Sequence, residues 1–96
     1  MAAYLVGNIT VTDPVRYEEY RARVPSVIAQ YGGRYLVRGG AVHGLEGQPG
    51  WDRCVILEFD SLDAARRFYD SPEYAPLLKL RGEVSVSHIA FVEGFA

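Results

Sequence analysis

The middle of the chain reads RYLVRGGAVHGLEGQPGWDRCVILEF from residue 34 to residue 59. Its two ends, Arg34–Arg38 and Arg53–Phe59, predict strands, because β-branched, aromatic and other apolar residues suit a pleated, half-buried surface. The segment between them, Gly39–Gly50, holds five glycines and shows no helical periodicity. Two consecutive strands with no helix between them predict a β-hairpin at the centre of the chain.

The N-terminal flank of this hairpin predicts one strand and one helix. Residues Ala2–Val11 carry apolar side chains on both alternating faces, which is typical of a strand that is covered on both sides. A helix over residues 13–33 begins with an aspartate–proline pair, which suits a helix N-terminus, and ends at a glycine pair. Pro25 within this helix lacks an N–H group and crowds the carbonyl of Arg21, which predicts a kink.

The C-terminal flank predicts a second helix and a last strand. Ser61 is the expected N-cap of a helix whose apolar residues recur at helical spacing. Ser71-Pro72 ends that helix, and a further short helix is expected to start there. Val84–Val92 predicts the fourth strand, again apolar on both faces. His88 lies among these apolar neighbours, which predicts a buried, hydrogen-bonded histidine.

The predicted order is β-α-β-β-α-β, the split βαβ arrangement of ferredoxin-like α+β domains. Residues 1–96 form one such domain, with two main helices on one face of a four-stranded antiparallel sheet. The other face of that sheet would be a large exposed apolar patch on a monomer. We therefore expect two copies of the chain to pack sheet to sheet as a homodimer.

Charge and cysteine content exclude several partners and cofactors. The formal net charge is −2 with acids and bases interspersed, which argues against nucleic acid and an anionic membrane surface as partners. Cys54 is the one cysteine, and neither it nor the two histidines have metal-site spacing, so no metal and no cofactor are expected. The N-terminal residues do not resemble a signal peptide, and a cytoplasmic location is expected.

The base of the hairpin carries two arginines that are candidates for ligand binding. With the turn at the middle of the loop, Arg34 lies opposite Glu58 as an ion pair, and Arg38 lies opposite Arg53. Like charges directly opposite each other are unfavourable, so an anion is expected near the second pair. That anion is either Glu46 in the loop or a bound carboxylate. Alternatively, the two arginines lie on the solvated rim of the hairpin.

Four further side chains complete the candidate site. His43 in the loop is a candidate proton carrier, because the unperturbed pKa of histidine lies near neutrality, and Glu46 is its alternative. Tyr20 and other tyrosines share one helix face, where they either pack the core or form a wall of phenols around an aromatic ligand. Asn8 on the first strand either hydrogen-bonds such a ligand or satisfies a tyrosine hydroxyl.

Several motifs resemble a single family over nearly the whole chain, from Tyr4 to Gly94. They are YEEY at residues 17–20, YGGRYLVRGG at 31–40, LEG at 45–47, EF at 58–59 and SPEY at 71–74, together with Arg53 and Arg81. The family they resemble is the one called domain of unknown function 1330. The resemblance implies the dimeric α/β-barrel fold. That superfamily includes cofactor-free monooxygenases for quinol-like substrates, muconolactone isomerases, haem-binding proteins and stress-response barrels without established chemistry.

The residues and the resemblance leave two functions open. One is a cofactor-independent enzyme, an oxygenase or isomerase acting on a small aromatic or carboxylated molecule. In it, Arg38 and Arg53 hold the anionic group, and His43 or Glu46 moves a proton. The other is a non-catalytic dimer that binds a small ligand or regulates a partner. A cavity with a titratable residue at its base would favour the enzyme, and a packed interior would favour the binding module.

Overall fold

The computed structural model describes residues 1–47 and 50–95. Its elements are β1 (Ala3–Val11), α1 (Pro14–Gln30), β2 (Arg34–Gly40), β3 (Cys54–Phe59), α2 (Leu62–Tyr69), α3 (Ala75–Val84) and β4 (Ser85–Glu93). This order confirms the predicted βαββαβ arrangement, with α3 as the short helix that follows Ser71. Of the predicted loop Gly39–Gly50, the first two residues extend β2, and residues 48 and 49 lie outside the described residues.

The sheet has a covered face and a bare face. Its strand order is β2-β3-β1-β4, and every neighbouring pair is antiparallel. Along β1, Leu5 and Ile9 are buried in the core that the helices form with the sheet, while Val6 and Asn8 on the opposite face are only half-buried. The helices therefore pack against one side of the sheet, in line with the alternation of side chains along a strand.

Caps and aromatic packing hold the helix layer in place. Asp13 and Ser61 each accept a hydrogen bond, at 3.1 Å, from the backbone N–H three residues later, which confirms both predicted N-caps. α1 continues past Pro25. Phe59 of β3 and Phe68 of α2 are almost completely buried with ring centroids 5.5 Å apart, so they form the centre of the core. Within residues 1–47 and 50–95, no helix is long and apolar enough to cross a membrane.

The hairpin register confirms one predicted pair and corrects another. Arg34 pairs with Glu58, and their side chains form an ion pair with an N–O distance of 2.6 Å. Arg38 pairs with Val55, so the prediction that it lies opposite Arg53 is wrong. That prediction assumes a regular hairpin, whereas β2 contains two irregularities that each insert an extra residue.

The first irregularity, at Leu36, decides which face of the sheet Arg38 occupies. Residues four apart in a regular strand share a face, so Arg34 and Arg38 would both lie on the bare face. The register shifts by one residue between Tyr35 and Val37, and this inverts the alternation. Arg38 therefore lies on the helix-covered face while Arg34 stays on the bare one.

The bare face of the sheet carries apolar side chains on the first and last strands, as predicted. On β4, Val86, Ala90 and Val92 are exposed in the single chain. His88 is exposed among them, so the prediction of a buried histidine is wrong: its place in the alternation of β4 points it away from the helices. Trp51 and residues of β1 and β4 line a shallow groove on this face.

Alanine substitutions at two glycines test the packing of the core, with the substitution in α3 as the control. A Cβ atom at Gly33 would lie 2.5 Å from Cε1 of Phe59, whereas one at Gly82 in α3 would meet nothing within 4 Å. We predict that Gly33→Ala lowers the free energy of unfolding by about 1–3 kcal/mol through overpacking. Gly82→Ala should raise it by up to about 1 kcal/mol, because alanine is the better helix former. Urea unfolding at one protein concentration measures both variants, and equal midpoints would contradict this packing.

Candidate functional site

A cavity of about 40 Å³ lies between α1 and the covered face of the sheet. This volume has room for a few water molecules. The cavity reaches from the buried interior to the surface, because its lining includes the buried Arg81 and the exposed Arg21 and Arg38. Besides aliphatic residues and Phe68, the lining contains four arginines (Arg21, Arg38, Arg53, Arg81) and five tyrosines (Tyr17, Tyr20, Tyr35, Tyr69, Tyr74).

Arg81 forms the floor of the cavity and carries a buried charge. Arg81 is only 6% exposed, and its Nε donates a long hydrogen bond of 3.4 Å to the hydroxyl of Tyr74. Among the described residues, no carboxylate lies within 4 Å of it. Burial disfavours the charge, but the hydroxyl oxygens of Tyr74 and Tyr20 outweigh it and raise the pKa of Arg81. Within the described part of the chain, the interior thus holds a guanidinium cation without a carboxylate counterion.

The walls of the cavity are formed in part by phenol rings. The hydroxyl groups of Tyr20 and Tyr74 are hydrogen-bonded at 2.8 Å, and the rings of Tyr17 and Tyr20 have centroids 5.6 Å apart. Burial raises the pKa of Tyr20 far above its ordinary value. Burial also raises the pKa of Tyr17, although the charge of Arg53 opposes the shift. These rings therefore pack the core, as the first sequence alternative states, and they also line the cavity.

The mouth of the cavity brings together the two arginines of the hairpin. The guanidinium carbon of Arg53 lies 5.3 Å from the ring centroid of Tyr17, and that of Arg38 lies 4.9 Å from the ring centroid of Tyr35. Gly39 near the end of β2 has φ +70°, and a Cβ there would lie 2.9 Å from Cζ of Arg53. This glycine therefore supplies both the backbone conformation of the second irregularity and the space for Arg53.

Three other predicted site residues lie outside the cavity. His43 and Glu46 are exposed in the loop after β2, and neither lines the cavity. Within residues 1–47 and 50–95, Glu46 makes no ion pair with Arg38 or Arg53. Asn8 lies on the opposite face of the sheet from Tyr20, and the structure does not bring it to the other candidates.

Asn8 anchors the end of the hairpin loop instead. Its Nδ2 donates to the carbonyl of Gly50 at 2.7 Å, and its Oδ1 accepts from the backbone N–H of Asp52 at 2.9 Å. Thr10 donates to Asp52 Oδ2 at 2.5 Å beside it. These bonds fasten residues 50–52 to β1, so Trp51 between them borders the bare face.

Sequence reasoning missed Arg21, Tyr35 and Arg81 as site residues. A signal for Arg81 was present, because Leu77, Arg81 and Val84 recur at the four- and three-residue spacing of one helix face, and all three are buried. An arginine on the buried stripe of a helix is unusual and marks a functional candidate. No comparable signal exists for Tyr35, because the irregularity at Leu36 changes the pattern of faces around it.

The charge balance of the cavity favours an anionic ligand. Within the described part of the chain, its lining holds four guanidinium groups but no carboxylate, histidine, lysine or cysteine. Guanidinium groups bind carboxylates and phenolates through charge-assisted hydrogen bonds, which are about twice as strong as neutral ones. No three histidine, cysteine, aspartate or glutamate side chains in residues 1–47 and 50–95 are grouped as metal ligands would be. The arrangement can hold an anion, but it offers no carboxylate or imidazole for proton transfer.

Comparisons with known proteins agree with this fold. A family model described as Domain of unknown function (DUF1330) matches residues 2–95. A protein of unknown function from Rhodopseudomonas palustris is 18% identical with a TM-score of 0.79, covering 99% of this chain and 83% of that one. SnoaB, a cofactor-independent oxygenase from Streptomyces nogalater, is 20% identical with a TM-score of 0.66, covering 99% and 94%.

A dimeric protein of unknown function with a ferredoxin-like fold from Bacteroides fragilis is also similar. It is 18% identical with a TM-score of 0.63, and the match covers 97% of this chain and 96% of that one. Identities this low show a shared fold alone. The search of curated proteins found no match.

The buried charge makes a prediction about stability. Arg81→Met replaces the guanidinium group by a shorter, unbranched apolar side chain and removes a cation that has no carboxylate partner among the described residues. We expect it to raise the free energy of unfolding of the ligand-free protein by about 1–4 kcal/mol, the range typical when packed apolar groups replace buried ionic ones. Arg34→Met is the control, because it breaks the pair with Glu58 on the bare face and should lower stability by about 1 kcal/mol or less. A lower free energy of unfolding for Arg81→Met, measured with urea, would show that the ligand-free protein already stabilises the Arg81 guanidinium group, and it would contradict this prediction.

Proposed function

Since the chain belongs to the family described as Domain of unknown function (DUF1330), which names no activity, we propose a function from the cavity itself. The cavity binds a small aromatic molecule that bears an anionic group, a carboxylate or a phenolate. The observation that carries this proposal is the buried guanidinium of Arg81, which has no carboxylate partner among the described residues and lies in a cavity with three more arginines.

The charge of Arg81 explains why the ligand is anionic. Burying a cation is unfavourable unless it is paired and hydrogen-bonded. Among the described residues, the guanidinium group of Arg81 donates one side-chain hydrogen bond, the long one to Tyr74, which leaves most of its five N–H donors for a ligand. A carboxylate matches the planar fork of a guanidinium group with two parallel hydrogen bonds. Binding would therefore supply the counterion that the protein lacks.

The walls of the cavity explain why the ligand has a ring. Tyr17, Tyr20 and Tyr35 line it together with aliphatic side chains of the sheet. Aromatic side chains prefer offset or edge-to-face contacts with another ring, which add to the apolar area they bury. The cavity of about 40 Å³ accepts the anionic group, and the ring would extend toward the mouth at Arg21 and Arg38.

A cofactor-independent enzyme of the oxygenase or isomerase type is the second candidate. The similarity of the fold to SnoaB, a cofactor-independent oxygenase, favours it. In this function the arginines would stabilise the deprotonated substrate, which is its electron-rich form. The lining offers no carboxylate or imidazole. The proton would therefore leave to solvent, or to His43 or Glu46 in the loop after β2.

A thermal-shift panel with pH variation tests the ligand class. Benzoate and salicylate should raise the melting temperature of the wild type and of Arg34→Met, but not of Arg81→Met, because a ligand that binds the folded state stabilises it. The increase in melting temperature caused by the ligand should grow as the pH rises through the carboxyl pKa of the ligand. It should then stay constant to about pH 8, because the lining has no carboxyl or imidazole group to titrate. Equal shifts with the uncharged benzyl alcohol, or in Arg81→Met, would contradict the proposal. Turnover of any bound compound would favour the enzyme.

We also infer that the protein is a homodimer joined through the bare sheet faces. The similar protein from Bacteroides fragilis is described as dimeric. Val86 and Val92 of β4 are 58% and 48% exposed in the single chain, and the apolar groove beside Trp51 continues this surface. Packing two such faces together removes the apolar area from water.

A charge on the bare face should separate the two copies. We expect Val86→Glu to convert a dimer into a monomer at micromolar concentration, because a carboxylate would be buried in the interface without a partner. Val15→Glu is the matched control, since Val15 is 83% exposed on α1, away from the sheet. Sedimentation equilibrium measures both variants beside the wild type. A monomeric wild type, or a Val86→Glu variant that remains dimeric, would refute this interface.

A further inference from the structure

The backbone carbonyl of Arg21 lacks its usual donor from its own helix. In an α-helix each carbonyl accepts a hydrogen bond from the N–H four residues later. For Arg21 that residue is Pro25, which has no N–H, although α1 continues past it. A carbonyl without its helical donor at the exposed mouth of the cavity is a ready acceptor for a donor from another element.

Arg38 supplies the missing hydrogen bond. Its Nη2 donates to the carbonyl oxygen of Arg21 at 2.6 Å. Arg38 belongs to β2 and Arg21 to α1, and both line the cavity. The bond therefore joins the sheet to the helix across the exposed end of the cavity.

The remaining contacts of Arg38 leave its charge available. The ring of Tyr35 lies against the guanidinium group, 4.9 Å from ring centroid to Cζ, and within the described residues no carboxylate lies within 4 Å of it. A guanidinium group has five donors in a fixed fork, so one bond to a carbonyl leaves others for an anion. The carbonyl and the ring together fix the plane of the group without neutralising it.

We propose that Pro25 is a positioning residue for the cavity. By lacking an N–H it reserves the Arg21 carbonyl for Arg38, and it thereby holds that guanidinium group over the mouth, where the anionic ligand enters. An alanine at position 25 would return a helical N–H to the carbonyl and release Arg38 to solvent. The role in ligand binding rests on the proposed function, whereas the placement of Arg38 does not.

A double-mutant cycle tests the placement without any ligand. Arg38→Met should lower the urea midpoint of the wild type, because it leaves the Arg21 carbonyl without its donor. In a Pro25→Ala background the same change should leave the midpoint unchanged, because the backbone N–H that the alanine introduces has taken over that carbonyl. Arg34→Met on the other face should lower the midpoint equally in both backgrounds. Equal losses from Arg38→Met in both backgrounds would overturn the proposal.

Benzoate titration by calorimetry tests the consequence for binding. Pro25→Ala should weaken benzoate binding about two- to ten-fold, the loss expected when one long side chain must be ordered anew. Arg38→Met should weaken it at least as much, and adding Pro25→Ala to it should change nothing further. Unchanged affinity in Pro25→Ala beside weakened affinity in Arg38→Met would overturn the positioning role. If wild type does not bind benzoate, the ligand class fails, while the urea cycle still decides what Pro25 does.

Discussion

Helices cover only one face of the four-stranded sheet, and this asymmetry places the features that matter for function. The covered face carries the buried side chains of β1 and the cavity beneath α1, while the bare face carries exposed apolar residues of β4. Because strand residues alternate between the faces, the face of a residue decides what it can reach. Arg38 reaches the cavity, whereas Asn8 on the other face fastens the hairpin loop.

The cavity on the covered face of the sheet has an excess of positive charge in its lining. Arg81 is buried with a tyrosine hydroxyl as its neighbour, and the other three arginines of the lining face the same space. We expect such an arrangement to lower the stability of the ligand-free protein, as binding sites commonly do. In the proposed function, an anion that enters the cavity would recover this cost as binding free energy, because the cation would then gain a charged partner.

Departures from regular backbone structure build the mouth of the cavity. The irregularity at Leu36 turns Arg38 toward the helices, and the one at Gly39 leaves space for Arg53. Pro25 removes a helical hydrogen bond, and Arg38 takes the free carbonyl. In each case the backbone loses a regular strand pairing or helical hydrogen bond, and an arginine side chain occupies a position that regular backbone structure would not allow.

The sequence by itself determined the element order, the N-caps at Asp13 and Ser61, the one-sided sheet and the Arg34–Glu58 pair, because caps and periodicity act over a few residues. It also indicated Arg38, Arg53 and Tyr20, which the structure brings to one cavity. Only the tertiary structure decided that Arg38 faces the helices, that His88 is exposed and that Arg81 forms the floor. Strand register and the meeting of distant helices depend on long-range pairing, which local patterns do not encode.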